Sequence, residues 1–464
     1  MRILPPVPPT PEQLLILAEN RPGIVLITGA AGSGKTTTAL LRLKQLCGSW
    51  LSRKRRLGLA GPVRVLVLTY NRTLEGYIEE LARGQVKADP DLHLEILTFG
   101  KFALGFLDNP EIVDSERADQ LLKTLGQPLG MDANFLRDEV EYVLGRFEPS
   151  SLDDYITARR DGRGVSPRMD AATRQRLLDE VIHPYNKIKG ARGEVDWNDI
   201  AVAAGEVAAE PWDVVIVDEA QDFSANQIRT ILSHLSEDHS ATFVMDATQR
   251  IYPRSFTWKE AGARLSRVHT LKRNYRNTRQ IAAFARPLVE GLHLDDDGAL
   301  PDFTATQAVG PKPQVIAGTY GQQIEHIIGN LVQSSDLANE SFAFLQPRGG
   351  KWFSYLKDRL DNAGIGWVEL TRASTWPGGT AAVALCTLHS AKGLEFDHVV
   401  IPGLNQQVTP HGVEEGDAQF EGLRRLVAMG VGRARKSVTI GYKPGEASTL
   451  IGLLRADTYE KVTL

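Results

Sequence analysis

Short apolar runs recur along this chain, spaced widely enough for a helix between them. The runs GIVLITG (23–29), VRVLVLTY (63–70), WDVVIVDE (212–219), ATFVMDA (241–247) and VALCTLH (383–389) are rich in Val, Ile and Leu and alternate little with polar residues. That pattern suits strands covered on both faces, because a half-solvated strand would show a polar residue at every second position. Helical patterns lie between the runs, as in TTTALLRLKQLC after the first and NQIRTILSHL after the third. Strands alternating with helices predict an α/β fold with parallel sheets.

The pattern changes from about 105 to 210, where the chain is polar, helical and poor in strand signals. This stretch is expected to be a helical insertion between two strands of the first sheet. A second α/β lobe is expected from near 270 to the end. The segment HLDDDGALPDFTATQAVGPKP (293–313) has the Asp, Gly and Pro content of a surface loop. No internal repeat and no low-complexity tail stands out.

A length of 464 residues allows two to four domains, and 42% hydrophobic with 24% charged residues is ordinary for a globular chain. The formal net charge of -4 does not itself indicate a polyanionic partner, although one basic groove would suffice for one. The most basic run, Arg53-Lys54-Arg55-Arg56, reads as a solvated loop rather than a dedicated patch. Two distant cysteines, Cys47 and Cys386, suggest neither a disulfide framework nor a zinc site, and fit a reducing cytoplasm. The Pro-rich start has no signal-peptide core, and no stretch approaches the ~18 apolar residues of a membrane span.

The strongest chemical signal is GAAGSGKTTT, Gly29 to Thr38, which follows an apolar strand and opens a helical pattern. It fits a phosphate-binding loop. Backbone N–H groups over Gly29, Ala30, Gly32, Ser33, Gly34, Lys35, Thr36 and Thr37 would wrap the phosphates. Lys35 would reach the β and γ phosphates, and the Thr36 hydroxyl would ligate Mg²⁺. The second signal is VVIVDEAQD (214–222), an apolar strand ending in two carboxylates. Asp218 would hold Mg²⁺ through water, and Glu219 would orient and deprotonate the attacking water. A strand ending in Asp-Glu is weak evidence alone; with the phosphate loop upstream it points to a nucleoside triphosphatase using ATP and Mg²⁺.

VDEAQD resembles the second motif of superfamily 1 helicases of the UvrD/Rep/PcrA branch, and further segments resemble that family in its order. Gln13, in TPEQLLIL, fits the glutamine that reads adenine. VLTYNRTL (67–74), with Tyr70 and Asn71, resembles a motif that touches single-stranded DNA. LTFGKFA (97–103), with Phe99, resembles the T-F-H segment, but Gly100 replaces the histidine. VMDATQRIY (244–252) resembles the third motif with Met245 in place of glycine; Gln249 would sense the γ-phosphate. LKRNYRNTRQI (271–281) resembles the fourth, in which Tyr275 would stack on adenine and Arg276 would reach the γ-phosphate. TLHSAKGLEFDHVVIPGL (387–404) resembles the fifth, with Glu395 on the ribose and His389 and Lys392 on the DNA side. LVAMGVGRARKSV (426–438) resembles the sixth, with Gly432 where threonine is usual and Arg433 as the second γ-phosphate arginine. The family places a base-stacking aromatic near Tyr252, Phe256 and Trp258; Trp258 is the first candidate, with core packing as its alternative.

The resemblance implies two RecA-like P-loop lobes. The first spans 1–104 and 211–268, the helical insertion 105–210, and the second lobe 269–464. About a dozen residues, TRASTWPGGTAA, stand where large relatives insert an accessory domain. The implied activity is an ATP-dependent helicase or translocase moving 3′ to 5′ on single-stranded DNA, with RNA not distinguished. The shortened architecture leaves an alternative open: a DNA-stimulated motor or sensor subunit acting with a nuclease or another repair or defence partner.

Overall fold

The computed structural model describes residues 8–29, 32–69, 72–85, 89–160, 168–245, 256–272, 277–292, 308–347, 351–371, 376–377, 379–412 and 417–464. Its strands are β1 (Gly23–Gly29), β2 (Val63–Thr69), β3 (Leu92–Thr98), β4 (Glu111–Ile112), β5 (Glu194–Val195), β6 (Trp212–Val217), β7 (Leu235–Met245) and β8 (Leu265–Leu271). They continue as β9 (Gln314–Ala317), β10 (Phe342–Gln346), β11 (Trp367–Glu369), β12 (Val383–Thr387), β13 (Phe396–Ile401), β14 (Ala434–Tyr442) and β15 (Glu460–Thr463). One sheet has the order β3-β2-β6-β7-β1-β8, a second has β11-β12-β10-β13-β14-β9-β15, and β4 pairs with β5. The pairings within both large sheets are parallel. This is the expected α/β class with two RecA-like lobes.

The helices that matter below are α1 (Pro11–Leu17), α2 (Lys35–Leu57), α3 (Arg72–Gln85), α4 (Phe99–Leu104), α5 (Ser115–Gly126), α6 (Ala133–Arg146), α7 (Ala171–Leu177), α8 (His183–Ala191), α9 (Trp197–Glu206) and α10 (Ala225–Ser233). In the second lobe come α11 (Arg279–Val289), α12 (Tyr320–Ile327), α13 (Lys351–Asn362) and α14 (Ala418–Val431).

The non-alternating strands follow from burial on both faces. In β1, Val25 and Ile27 pack with Leu40, Leu43 and Leu46 of α2, while Ile24 and Leu26 face the cluster holding Phe102, Ile200 and Ile228 from α4, α9 and α10. Both side-chain sets must therefore be apolar. The second sheet repeats this arrangement, with Phe342, Phe344 and Leu385 covered by Ile324 of α12 and Leu356 of α13. Between β3 and β6 the chain is mostly helical, and residues from Leu122 to Tyr185 form a separate apolar cluster.

Several boundaries differ from the sequence reading. The basic run 53–56 closes α2 rather than forming a loop, and its charges meet carboxylates: Arg53 with Asp238 at 2.5 Å, Lys54 with Asp91 at 3.7 Å and Arg55 with Asp89 at 2.7 Å. Cations in a last helical turn also complement the helix dipole. The edge strand β8 belongs to the first sheet and runs to Leu271, three residues past the expected lobe boundary at 268. Residues 370–382 alone connect β11 to β12, and Trp376 in this connection sets its ring 5.0 Å from Tyr77 of α3.

Leu43 is fully buried where α2 meets the first sheet. Leu43→Ala is expected to lower unfolding free energy by about 2–5 kcal/mol, measured by urea denaturation, through lost burial and the cavity left behind.

Candidate functional site

The site forms at the carboxyl ends of the first sheet's strands, where open parallel sheets place their ligands. β1 ends at Gly29, and α2 begins at Lys35. The turn between them needs glycine: Gly32 and Gly34 have φ of 78° and 82°, in the left-handed region. A side chain at Gly29 would stand 2.8 Å from the Leu271 carbonyl oxygen and 2.6 Å from Ser33 Oγ.

Gln13 is buried beside this turn. Its Oε1 accepts from Thr10 N at 2.8 Å, closing a capping box on α1, while its Nε2 donates to Thr38 Oγ1 at 2.9 Å and to the Gly34 carbonyl at 3.2 Å. The glutamine thus ties α1 to the loop. Lys35 Nζ donates to the Gly29 carbonyl at 2.8 Å, folding the ammonium over the turn.

β6 delivers the carboxylates. Thr36 Oγ1 donates to Asp218 Oδ2 at 2.9 Å across 182 residues of sequence. Asp218 is 2% exposed, and burial together with the adjoining Glu219 carboxylate pushes its carboxyl up to about 7. The Thr36 hydroxyl, the Glu219 N–H and the Lys35 ammonium oppose that shift. Glu219 is buried and non-glycine, yet its φ is 54°. Such backbone persists only where its surroundings hold it. Gln221 Nε2 donates to Glu219 Oε2 at 2.5 Å.

Lys392, expected on the DNA side, is 2% exposed; its ammonium pairs with Asp222 and stands 3.9 Å from Glu219 Oε2. A buried ammonium needs a counter-charge, and the aspartate ending the AQD turn supplies it. Phe99 and Trp258 are also interior. Phe99 packs at 6.0 Å from Phe223, and Trp258 at 5.1 Å from Phe243 and 5.9 Å from Phe256. Core packing, the alternative for Trp258, is what its burial supports. His389 is exposed and Glu395 half-buried.

Arg433 is 3% exposed, with Nε 3.3 Å from Met429 Sδ. Asn277, which the sequence reading passed over, donates through Nδ2 to the carbonyls of Gly432 and Ala434 at 3.2 and 2.5 Å, the residues flanking Arg433. Ala30, Tyr70, Asn71, Gln249, Tyr252, Tyr275 and Arg276 lie outside the described residues. Leu271, four residues before Tyr275, pairs with Gly29 in register, so the fourth motif follows directly from a strand end beside the phosphate loop.

A second omission is Trp197, the first residue of α9. It is 47% exposed, and its Cζ3 would lie 3.1 Å from a side chain at Gly100. The absent side chain at Gly100 thus accommodates the indole. Asp196 caps α9, and Lys189 pairs with Asp196 and Asp199 at 2.6 and 2.5 Å on either side of the tryptophan, fixing its backbone.

The N-terminal domain of the UvrD/REP helicases matches residues 10–265 and the UvrD-like helicase C-terminal domain matches residues 368–444. The chain belongs to the UvrD/REP helicase family. The ATP-dependent DNA helicase UvrD2 of Mycobacterium tuberculosis (strain ATCC 25618 / H37Rv) is 24% identical over 557 residues, spanning 90% of this chain and 76% of that one. DNA helicase II of Escherichia coli (strain K12) is 44% identical over 73 residues, covering 15% of this chain and 10% of its own. The ATP-dependent DNA helicase PcrA of Bacillus subtilis (strain 168) is 45% identical over 73 residues, with the same two shares. As a UvrD-type helicase the chain is an ATP-hydrolysing enzyme.

Gly29→Ala is expected to weaken ATP binding at least tenfold, because its side chain would meet the Leu271 backbone and the serine of the loop. Fluorescent nucleotide titration checks this; unchanged affinity would show that the loop accommodates the methyl group.

Proposed function

We propose that this protein couples Mg²⁺-dependent ATP hydrolysis to 3′-to-5′ movement along single-stranded DNA. The observation that carries the reading is the Thr36–Asp218 contact at 2.9 Å with Glu219 adjoining, joining the phosphate loop to the acidic strand end. Thr36 and Asp218 offer hard oxygens suited to Mg²⁺. Among the described residues no group of three or more His, Cys, Asp and Glu side chains is arranged to hold a metal alone. The ion would therefore take its remaining ligands from nucleotide phosphates and water, as Mg²⁺ usually does. Its charge would also favour the ionised form of Asp218.

Lys35 compensates phosphate charge, and Glu219 accepts the proton of the attacking water. Gln13 and Tyr275 hold the adenine, Glu395 holds the ribose, Gln249 reports the γ-phosphate, and Arg276 and Arg433 stabilise transition-state charge. We assign 105–210 to a helical insertion in the first lobe; its separate apolar cluster supports this. The second lobe follows β8. Nucleotide-dependent closure of the lobes would advance a strand lying across both. For that strand we assign Trp197 as a stacking face, with Tyr70, Asn71, Tyr252 and His389. The exposure of the indole beside the Gly100 segment supports it. The resemblance of the fifth motif to the UvrD/Rep branch supports the polarity.

No helix among the described residues is long and apolar enough to cross a membrane. We place the protein in the cytoplasm, where its single-stranded DNA substrate arises. The 370–382 connection favours a second reading, in which unwinding needs a partner protein such as a nuclease. Strand displacement by the chain alone would argue against it.

Steady-state hydrolysis with Mg²⁺, with and without single-stranded DNA of about 40 nucleotides at low salt, tests the motor reading. Strong stimulation is expected; healthy hydrolysis indifferent to DNA would contradict it. Glu219→Gln should retain ATP binding and lose about 10²–10⁴-fold in kcat, and Lys35→Ala should abolish hydrolysis. Trp197→Ala should weaken single-stranded DNA binding about tenfold while leaving DNA-free hydrolysis unchanged. Equal DNA affinity would remove the tryptophan from the interface.

A further inference from the structure

We propose that Lys392 is a positioning residue for hydrolysis, setting the Glu219 carboxylate through a buried ion pair that crosses from the second lobe to the first. The proposal rests on the reading of Glu219 as the base. Lys392 lies in the turn between β12 and β13, whereas Glu219 and Asp222 follow β6. The ammonium is 2% exposed, the Asp222 carboxylate it contacts is fully buried, and Glu219 Oε2 stands 3.9 Å from Nζ.

Taking one cation and two carboxylates out of water is costly unless they answer one another. Asp222 meets the ammonium directly. Glu219 lies farther off, so it feels the positive charge without being capped by it. Gln221 Nε2 addresses the same Oε2 at 2.5 Å. Both contacts thus hold the carboxylate by one oxygen and leave proton acceptance to Oε1. The backbone of Glu219, at φ 54°, is not one the residue would adopt unsupported, so its side-chain direction depends on such neighbours.

The consequence is mechanical. Lys392, between β12 and β13, and Arg433, just before β14, sit on connections of the same sheet, so the lobe placement that presents Arg433 also brings the ammonium to Glu219. When the lobes separate, the ammonium leaves, Asp222 and Glu219 lose their shared counter-charge, and the base keeps only its Gln221 contact. Water activation is then confined to the closed arrangement, which limits hydrolysis to the part of the cycle that moves the strand.

The test compares steady-state ATP hydrolysis by the full chain with that of Lys392→Met, Lys392→Arg, the double variant Lys392→Met/Asp222→Asn, and Glu219→Gln. Thermal unfolding of each checks the fold. Lys392→Met is expected to lower kcat about 100-fold with KM for ATP within about threefold, and Lys392→Arg to recover part of the loss. The double variant leaves no unpaired charge from the Lys392–Asp222 pair. It is expected to unfold cooperatively near the wild-type temperature yet remain as slow as Lys392→Met, and it carries the test if the single variant does not fold. Hydrolysis by the double variant within about threefold of wild type would show that the pair serves only stability, and would overturn the proposal. A raised KM with unchanged kcat in Lys392→Met would overturn it too. If Glu219→Gln is inactive while Lys392→Met turns over normally, the positioning role alone fails. If Glu219→Gln turns over normally, the base assignment fails and this proposal with it.

Discussion

Two adjoining carboxylates, Asp218 and Glu219, lie buried at the end of a strand, and the rest of the site answers that electrostatic problem. Asp218 has almost no water around it to disperse its charge, and the adjoining Glu219 carboxylate raises the cost of ionising it. Relief comes from named groups. The Thr36 hydroxyl and the Glu219 N–H both donate to Asp218, Lys35 lowers its proton affinity at a distance, and Gln221 donates to Glu219. The remaining positive charge comes from the other lobe through Lys392. A bound divalent ion would complete the compensation. A site assembled this way depends on where its two halves stand.

The scaffold makes this possible because both halves use the same construction. In each sheet, parallel strands buried on both faces bring loop after loop to one edge, and apolar packing fixes the strand register. The glycines at 32 and 34 let the loop after β1 turn through left-handed backbone. Gln13 belongs to both the α1 capping box and the loop, so the entry helix and the glycine turn are mechanically one piece. At the second lobe, Asn277 ties the start of α11 to the carbonyls beside Arg433, so that arginine also sits on a braced backbone.

Much of this was legible in the sequence wherever the physics is local. Runs buried on both faces announced β1, β2, β6 and β12 nearly to the residue, because an uninterrupted apolar stretch has few alternatives. Edge strands were harder. LSRVHTL of β8 and LHLEILT of β3 mix polar residues into exposed faces and resemble loops or helices until their partners are known. The glycine turn after β1 and the carboxylates ending β6 were readable as neighbours because each stands in a contiguous motif at a strand end, and the structure joins them through Thr36 and Asp218. Side-chain destinations were not. Nothing in HSAKGLEF says that the lysine turns inward to Asp222, since its partner follows β6 of the other sheet. Trp258 and Trp197 illustrate the same limit. Both are indoles near family motifs; the one expected to meet bases packs on Phe243, and the unnoticed one stands exposed over a glycine. Aromatic character alone does not distinguish a packing residue from a platform.

The most direct measurement is ATP-dependent removal of streptavidin from biotinylated single-stranded DNA, with the biotin at either end. A motor working 3′ to 5′ is expected to clear streptavidin quickly from the 5′ end and slowly from the 3′ end, and to stop when ATP is withheld. Failure to clear either end, under conditions where the same DNA stimulates hydrolysis, would contradict the claim that closure of these two lobes moves the strand.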